Sequence, residues 1–171
     1  MPDLDEPPYQ AREPVLLLLD YLDFYRNVVV RKLRGLAPAQ LSSTRVPSGW
    51  TPIELLRHLA YMERRWFEWG FAGVAVDHPW GDADPRTGRW VVPQDTTFEE
   101  VVGELEQVAV RTRELTSSSS LEMASKAGGR FTSDGELPTL HWIFLHVLQE
   151  YARHAGHLDI VRELSDGSIG E

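Results

Sequence analysis

Four stretches of this sequence repeat apolar residues at the spacing of an α-helix, and strand-like alternation is weak throughout. Helices bury residues three or four apart, whereas strands bury every second residue, so the pattern favours an all-α chain. The predicted helices cover residues 14–34, 51 to about 70, 97 to about 116 and 138–164. Long helices joined by loops are typical of a bundle. We therefore predict a four-helix bundle in a single domain over residues 1–171.

The predicted helix starts and ends carry their own signals. Thr51 and Thr97 each precede a glutamate by three residues, which is the capping box that opens a helix. Pro14 suits a first helical position, and Gly35 suits the residue just past a helix end. Between the second and third helices, residues 74–96 hold Pro, Gly and Asp throughout. We predict a long loop there that helps to form a pocket.

The composition excludes several classes of function. The formal net charge of -9 argues against nucleic acid as a partner. The chain holds no cysteine, so any thiol chemistry must use a thiol from a small molecule. The longest apolar run, residues 15–19, is far too short to cross a bilayer, and the acidic start differs from a signal peptide. We expect a cytoplasmic protein that binds neither nucleic acid nor a membrane.

The fourth predicted helix carries polar residues on its apolar face. At about 100° per residue, Glu150 shares its direction with both apolar and imidazole side chains. The apolar ones are Ile143, Val147, Leu158 and Val161, and the imidazoles are His146, His154 and His157. A carboxylate on a buried face needs a partner, and several such groups together point to a shared cation.

Two helices can supply the ligands of one cation. Glu150 and His154 are four residues apart, so they lie one above the other on their helix. His58 shares the core-facing direction of the second helix with Leu55 and Met62. The three polar groups would form a site of two nitrogens and one oxygen with open positions, as in catalytic metal sites. Imidazole ligands favour zinc, while nickel, manganese and iron also suit this set.

Other interpretations of these histidines stay open on the residues alone. A core histidine is more often a hydrogen-bonded packing residue than a metal ligand, and this applies to His58, His146, His154 and His157. His146 and His157 are also candidates for orienting a ligand or touching a substrate. If these buried polar side chains hydrogen-bond only to one another, the protein needs no metal.

The remaining polar and aromatic motifs point mostly to structure. The run 63–65 is predicted to face solvent, although Arg65 and Arg153 are candidates for binding an anionic substrate beside the metal. The six tryptophans are predicted to be mostly buried. Gly128 and Gly129 predict a turn rather than a phosphate-binding loop, since no strand and capped helix frame them.

Two segments resemble the DinB superfamily, which is named for damage-inducible bacterial proteins. Residues 146–157 (HVLQEYARHAGH) resemble the signature of its fourth helix. Residues 47–60 (PSGWTPIELLRHLA) resemble the signature that enters its second helix. The closing residues 164–171 (LSDGSIGE) are similar to an actinobacterial branch classed as a domain of unknown function. The similarity spans nearly the whole chain.

The resemblance implies an up-down-down-up bundle with three metal ligands. Many members use three histidines, but here Glu150 stands where the first histidine of the fourth-helix pair usually falls. That departure is similar to the mycothiol-dependent maleylpyruvate isomerases, whose triad is His/Glu/His. On this mapping His58, Glu150 and His154 are the ligands. His157 takes the place of a glutamine that often follows the second histidine.

The resemblance also implies a class of reaction. The superfamily is linked to transfer of low-molecular-weight thiols such as mycothiol or bacillithiol to an electrophilic substrate, and its members are often homodimers. The isomerases carry a further C-terminal domain that this sequence does not show, so we do not expect isomerase activity. The leading hypothesis is a metal-dependent thiol S-transferase or detoxification enzyme. The alternatives are a non-catalytic, metal-binding, stress-related protein and a metal-free structural dimer.

Overall fold

Long helices dominate the computed structural model, which describes residues 6–133 and 135–169. They are α1 (Pro14–Arg34), α3 (Pro52–Trp66), α4 (Phe98–Thr116) and α5 (Leu140–Asp166), and α2 (Pro38–Leu41) is a single short turn. Within the described ranges extended pairing is limited to isolated bridges between Ala83 and Trp90 and between Ala124 and Thr139. The all-α prediction is confirmed. The up-down-down-up order of the helices stays a prediction.

Most of the predicted helix boundaries agree with the structure. The hydroxyl groups of Thr51 and Thr97 accept hydrogen bonds from the backbone N–H groups of Glu54 and Glu100, so both capping boxes form. The last helix starts two residues later than predicted, after the Thr139 cap, and runs two residues further, to Asp166. Asp134, in the glycine-containing connection before this helix, lies outside the described residues.

The second predicted helix changes character at its end. After Trp66 the α-helix becomes a π-helix, Phe67–Phe71. Its carbonyl groups then hold the segment that precedes α5: Lys126 N–H donates to Phe71 O at 2.9 Å and Arg130 N–H donates to Trp69 O at 2.9 Å. A Cβ on Gly129 would lie 2.0 Å from Trp69 O, so only glycine fits there. The predicted glycine turn is therefore a close backbone contact.

The core lies between the four long helices. Helix α1 packs mainly against α5, and α3 packs mainly against α4 and also against α5. Completely buried side chains come from all four helices, among them Leu22, Leu55, Leu59, Val101, Ile143, Phe144 and Val147. Burying such side chains is the main favourable contribution to folding.

A charged residue lies in the middle of this core, which corrects the prediction that residues 63–65 face solvent. Glu63 is completely buried. Its carboxylate accepts hydrogen bonds from Arg26 Nε at 3.0 Å, the Tyr151 hydroxyl at 2.6 Å and the Thr112 hydroxyl at 2.6 Å. Burial and the charge of Glu63 raise the pKa of Tyr151 well above its usual value, so the phenol remains a donor. These contacts connect α1, α3, α4 and α5.

The prediction that the tryptophans are mostly buried holds only in part. Trp80 is 54% exposed and Trp142 is 50% exposed, and the other four are partly buried. Trp50, Trp66 and Trp90 pack against the edge of the core, whose centre is filled by aliphatic residues and by Phe67, Phe71, Phe144 and Tyr151. Among the described residues, no helix combines the length and apolar character that crossing a membrane requires.

We expect the buried carboxylate to be essential for stability. Changing Glu63→Gln removes the charge that balances buried Arg26, and should lower the free energy of unfolding by about 3 kcal/mol. Chemical denaturation followed by circular dichroism measures this quantity. The matched change Glu106→Gln on the exposed side of α4 should alter it by about 0.5 kcal/mol or less. Equal stability of the two variants would contradict the role assigned to Glu63.

Candidate metal centre

Three of the predicted side chains meet between α3 and α5. One ligand atom each from His58, Glu150 and His154 lies within 4.8 Å of the other two. His154 Nε2 and Glu150 Oε2 are 3.3 Å apart. Ligands about 2.1 Å from a tetrahedral cation are separated by roughly this distance, so the pair needs little adjustment. The structure thus brings together the three groups that the sequence placed on two helices.

One of the three donors, His154, is in a protonation state that suits metal binding. Burial, with smaller contributions from the neighbouring His58, His157 and Arg153, lowers the pKa of His154 to about 3. The imidazole is therefore neutral at ordinary pH and keeps a lone pair for a cation. With the Glu150 carboxylate beside it, the donor set carries the charge that a divalent cation prefers.

A buried aspartate orients His58. Asp82 is 1% exposed, and its Oδ2 lies 3.0 Å from His58 Nδ1. When Nδ1–H donates to this carboxylate, the lone pair of Nε2 is left for the side of the ring that faces Glu150 and His154. Carboxylate–histidine pairs of this kind are common behind metal ligands because they fix the tautomer and the ring orientation.

Asp82 remains charged in spite of its burial. Burial alone would raise its pKa, but hydrogen bonds from His58 and from Arg65 outweigh that effect and lower the pKa below the usual value. Arg65 approaches the same carboxylate with both terminal nitrogens, Nη2 at 3.2 Å from Oδ2. Arg65 is only 4% exposed and binds Asp82. The prediction that Arg65 faces solvent is therefore wrong.

The loop that carries Asp82 is fastened to α3 on both sides of His58. Arg57 Nη1 donates to the carbonyl oxygens of Gly81 at 2.7 Å and Val91 at 3.0 Å. Arg65 Nη1 donates to Pro79 O at 3.0 Å. Sequence reasoning missed Asp82, because residues 74–96 hold several aspartates at turn-like positions and nothing in their spacing distinguishes one of them. The only available signal was the expectation that this loop packs against the site.

Aromatic rings close one side of the three-residue group. Trp90 stacks on His58 with ring centroids 4.2 Å apart and an interplanar angle of 20°. It also lies edge-on to His154 at 5.5 Å. Trp50 lies 6.2 Å from Trp90, and the two rings line an open cavity of about 170 Å³. The site therefore has an apolar wall next to a small, solvent-accessible space.

The remaining candidates fall in different places. His157 Nδ1 lies 3.2 Å from His154 Nδ1, so His157 contacts a proposed ligand from the side away from Glu150. His146 stacks on Trp142 and lies one helical turn before Glu150. Arg153 is exposed, in contrast to Arg65. His141, on α5, and His78, in the loop of residues 74–96, are exposed.

The comparison with protein families agrees with this geometry. The family model for mycothiol-S-transferase matches residues 17–167, which include nearly all of α1, the whole of α3, α4 and α5, and the three clustered side chains. The chain belongs to the mycothiol-S-transferase family. This membership confirms the resemblance to DinB-like proteins. A search of curated proteins found no match.

We expect Asp82 to tune the affinity of the site for metal. Changing Asp82→Asn keeps the shape but weakens the acceptor for His58 Nδ1–H, and should raise the dissociation constant for Zn²⁺ about 10- to 100-fold. Competition with a chromogenic chelator measures the constant. The matched change Asp77→Asn, at an exposed position of the same loop, should leave it unchanged. An unaltered dissociation constant for Zn²⁺ in the Asp82→Asn variant would show that Asp82 does not support the metal site.

Proposed function

We propose that this protein is a metal-dependent thiol S-transferase whose ligands are His58, Glu150 and His154. The observation that carries the proposal is the convergence of these three donor atoms from α3 and α5 within 4.8 Å. Membership of the mycothiol-S-transferase family supports a small-molecule thiol as one substrate. The absence of cysteine from the sequence means that the thiol comes from outside the chain.

Zinc is the proposed metal, because two imidazoles and one carboxylate form a ligand set that zinc enzymes use. Nickel, manganese and iron are the other candidates that fit these donors. A bound divalent cation would lower the pKa of a thiol and so supply thiolate near neutral pH. Three protein ligands leave a coordination position for that sulfur.

The residues around the three proposed ligands set the conditions for the proposed reaction. Asp82 orients the ring of His58, and burial keeps His154 neutral. The thiol loses its proton to solvent, and the sulfur forms a bond to an electrophilic carbon of the second substrate. A leaving group departs as an anion, or a double bond takes up a proton. Trp90 and Trp50 provide an apolar surface on one side of the proposed site.

Three further features are proposed on the basis of the resemblance to the DinB superfamily. We propose the up-down-down-up helix order, a cytoplasmic location and a homodimer. The outer face of α5 supports the homodimer, because Leu145, Ile160 and Leu164 are each more than half exposed there, at 54%, 54% and 59%. Light scattering on the purified protein would determine the number of subunits.

The ligand assignment predicts the metal content of purified variants. Wild-type protein should hold close to one equivalent of metal, and His154→Ala should lose most of it, since one of three protein ligands is gone. Elemental analysis by mass spectrometry measures the content. His141→Ala is the matched control, because His141 is an exposed histidine on the same helix.

The metal hypothesis is wrong if wild-type protein lacks metal and gains none from Zn, Ni, Mn or Fe salts. It is equally wrong if His154→Ala and His141→Ala retain the same amount. A loss of metal together with a loss of folding would be recognised by circular dichroism. In that case Glu150→Gln, at a partly exposed position, provides a milder change of the same ligand set.

Metal-loaded protein should accelerate the reaction of a small thiol with chlorodinitrobenzene, which releases chloride as the carbon–sulfur bond forms. Mycothiol and other small thiols are compared, and absorbance follows the product. The rate should fall by at least about 100-fold in His154→Ala. A protein that binds metal but transfers none of the thiols to several electrophiles would favour the alternative of a non-catalytic, metal-binding, stress-related protein.

A further inference from the structure

A second group of functional side chains lies beside the metal centre and plays no part in it. Arg130 places its guanidinium 4.2 Å from the ring centroid of Trp66 and 5.6 Å from that of Trp80. Trp142 and His146 complete the group, with rings 5.1 Å apart and nearly parallel at 10°. Trp66 connects the two parts, because it lies 4.3 Å from His146 and 5.4 Å from Trp142. We call these five residues the Arg130 cluster.

The backbone is built to bring Arg130 to this position. The arginine follows Gly128, which has a φ of 113°, and Gly129, which has no room for a Cβ. Its own N–H donates to Trp69 O in the π-helix. Departures from the α-helix of this type frequently occur at functional sites. An arginine side chain that only contacted solvent would not require a π-helix and two adjacent glycines to position it.

The local charge favours an anion. Arg130 is partly buried, and burial together with repulsion from Arg65 lowers its pKa. Arg65 is itself neutralised by Asp82, whereas Arg130 lies between aromatic rings. Stacking uses the flat face of a guanidinium and leaves the N–H groups in its plane, which suit the two oxygens of a carboxylate.

The shape of the cluster favours a planar ligand. Trp80 and Trp142 are about half exposed, at 54% and 50%, so each presents aromatic surface to solvent. Large exposed aromatic surface costs free energy unless it serves a contact. Flat, conjugated molecules stack on indole rings at low conformational cost. An organic anion with a planar body would satisfy both the charge and the rings.

The cluster is close enough to the metal centre to share a substrate with it. His146 precedes Glu150 by one turn, about 6 Å along α5. Trp66 follows His58 by eight residues, about 12 Å along α3. Arg65 touches both groups, because it binds Asp82 behind His58 and lies 4.3 Å from the Trp80 ring. One molecule of moderate length could therefore contact Arg130 at one end and extend to the ligands at the other.

We propose that the Arg130 cluster binds the electrophilic substrate as an aromatic or conjugated carboxylate. The carboxylate pairs with Arg130, the planar body lies on Trp66, Trp80 and Trp142, and the reacting carbon points towards the metal ligands. The role in catalysis rests on the proposed S-transferase function. Binding of the carboxylate itself does not depend on metal or thiol.

Calorimetric titration of the full chain with naphthoate, in the presence of a chelator that removes metal, tests the proposal. Naphthamide, which has the same shape without the charge, should bind at least about tenfold more weakly. Arg130→Gln should weaken naphthoate binding by a similar factor. Arg31→Gln, an exposed arginine on α1, should leave it unchanged.

A second variant allows loss of naphthoate binding to be distinguished from misfolding of the Arg130→Gln protein. Trp142→Ala alters a half-exposed position and should weaken naphthoate about fivefold while the protein stays folded by circular dichroism. Equal binding of naphthoate and naphthamide overturns the proposal, as does unchanged binding in folded Arg130→Gln. Because metal is absent throughout, these outcomes are independent of whether the protein proves to be an S-transferase.

Discussion

The buried carboxylate of Glu63 determines how α3 and α5 lie against each other. It accepts hydrogen bonds from Arg26 on α1 and from Tyr151 on α5, inside a mainly apolar core. A buried charge tolerates little displacement from its partners, since each lost contact leaves an unsatisfied group. The interaction therefore defines one relative position of the helices, where aliphatic packing alone would allow several.

The proposed ligands depend on that position because they adjoin the same contacts in sequence. Tyr151 directly follows Glu150, and Glu63 lies five residues after His58. Holding Tyr151 against Glu63 turns the next face of α5 towards the side of α3 that carries His58. Glu150 and His154 then meet His58 without a flexible segment between any ligand and the core. Sites on rigid helices hold their geometry better than sites on loops.

Helical spacing was sufficient to place the three proposed ligands on core-facing sides of their helices, but it did not distinguish them from His146 and His157 or predict their surroundings. Glu150 and His154 share a face because of helical spacing, and His58 follows a clear capping signal, so all three could be placed from sequence. The charge at Glu63 was misassigned because its neighbours are charged too, and only tertiary packing shows which of them faces inward. Asp82 could not be selected because its partners are distant in sequence.

The end of α3 was also beyond sequence reasoning, for a physical reason. A π-helix differs from an α-helix by one residue per hydrogen-bonded ring, and apolar periodicity over a few residues does not resolve that difference. Gly128 and Gly129 were correctly read as a turn. What they turn against, the carbonyl of Trp69, depends on the π-helix. Because the π-helix was not predictable from the sequence, neither the position of Arg130 nor the reason for the glycine pair could be predicted.

The loop of residues 74–96 connects the candidate metal centre with the Arg130 cluster. Trp80 contacts Arg65, Asp82 contacts both Arg65 and His58, and Trp90 stacks on His58. Side chains from one segment thus contribute to both groups, and α3 arginines fasten that segment on both sides of His58. A displacement of the loop at Trp80 would be transmitted to Asp82 through their common partner Arg65. The orientation of His58 and the surroundings of Arg130 therefore depend on the same loop.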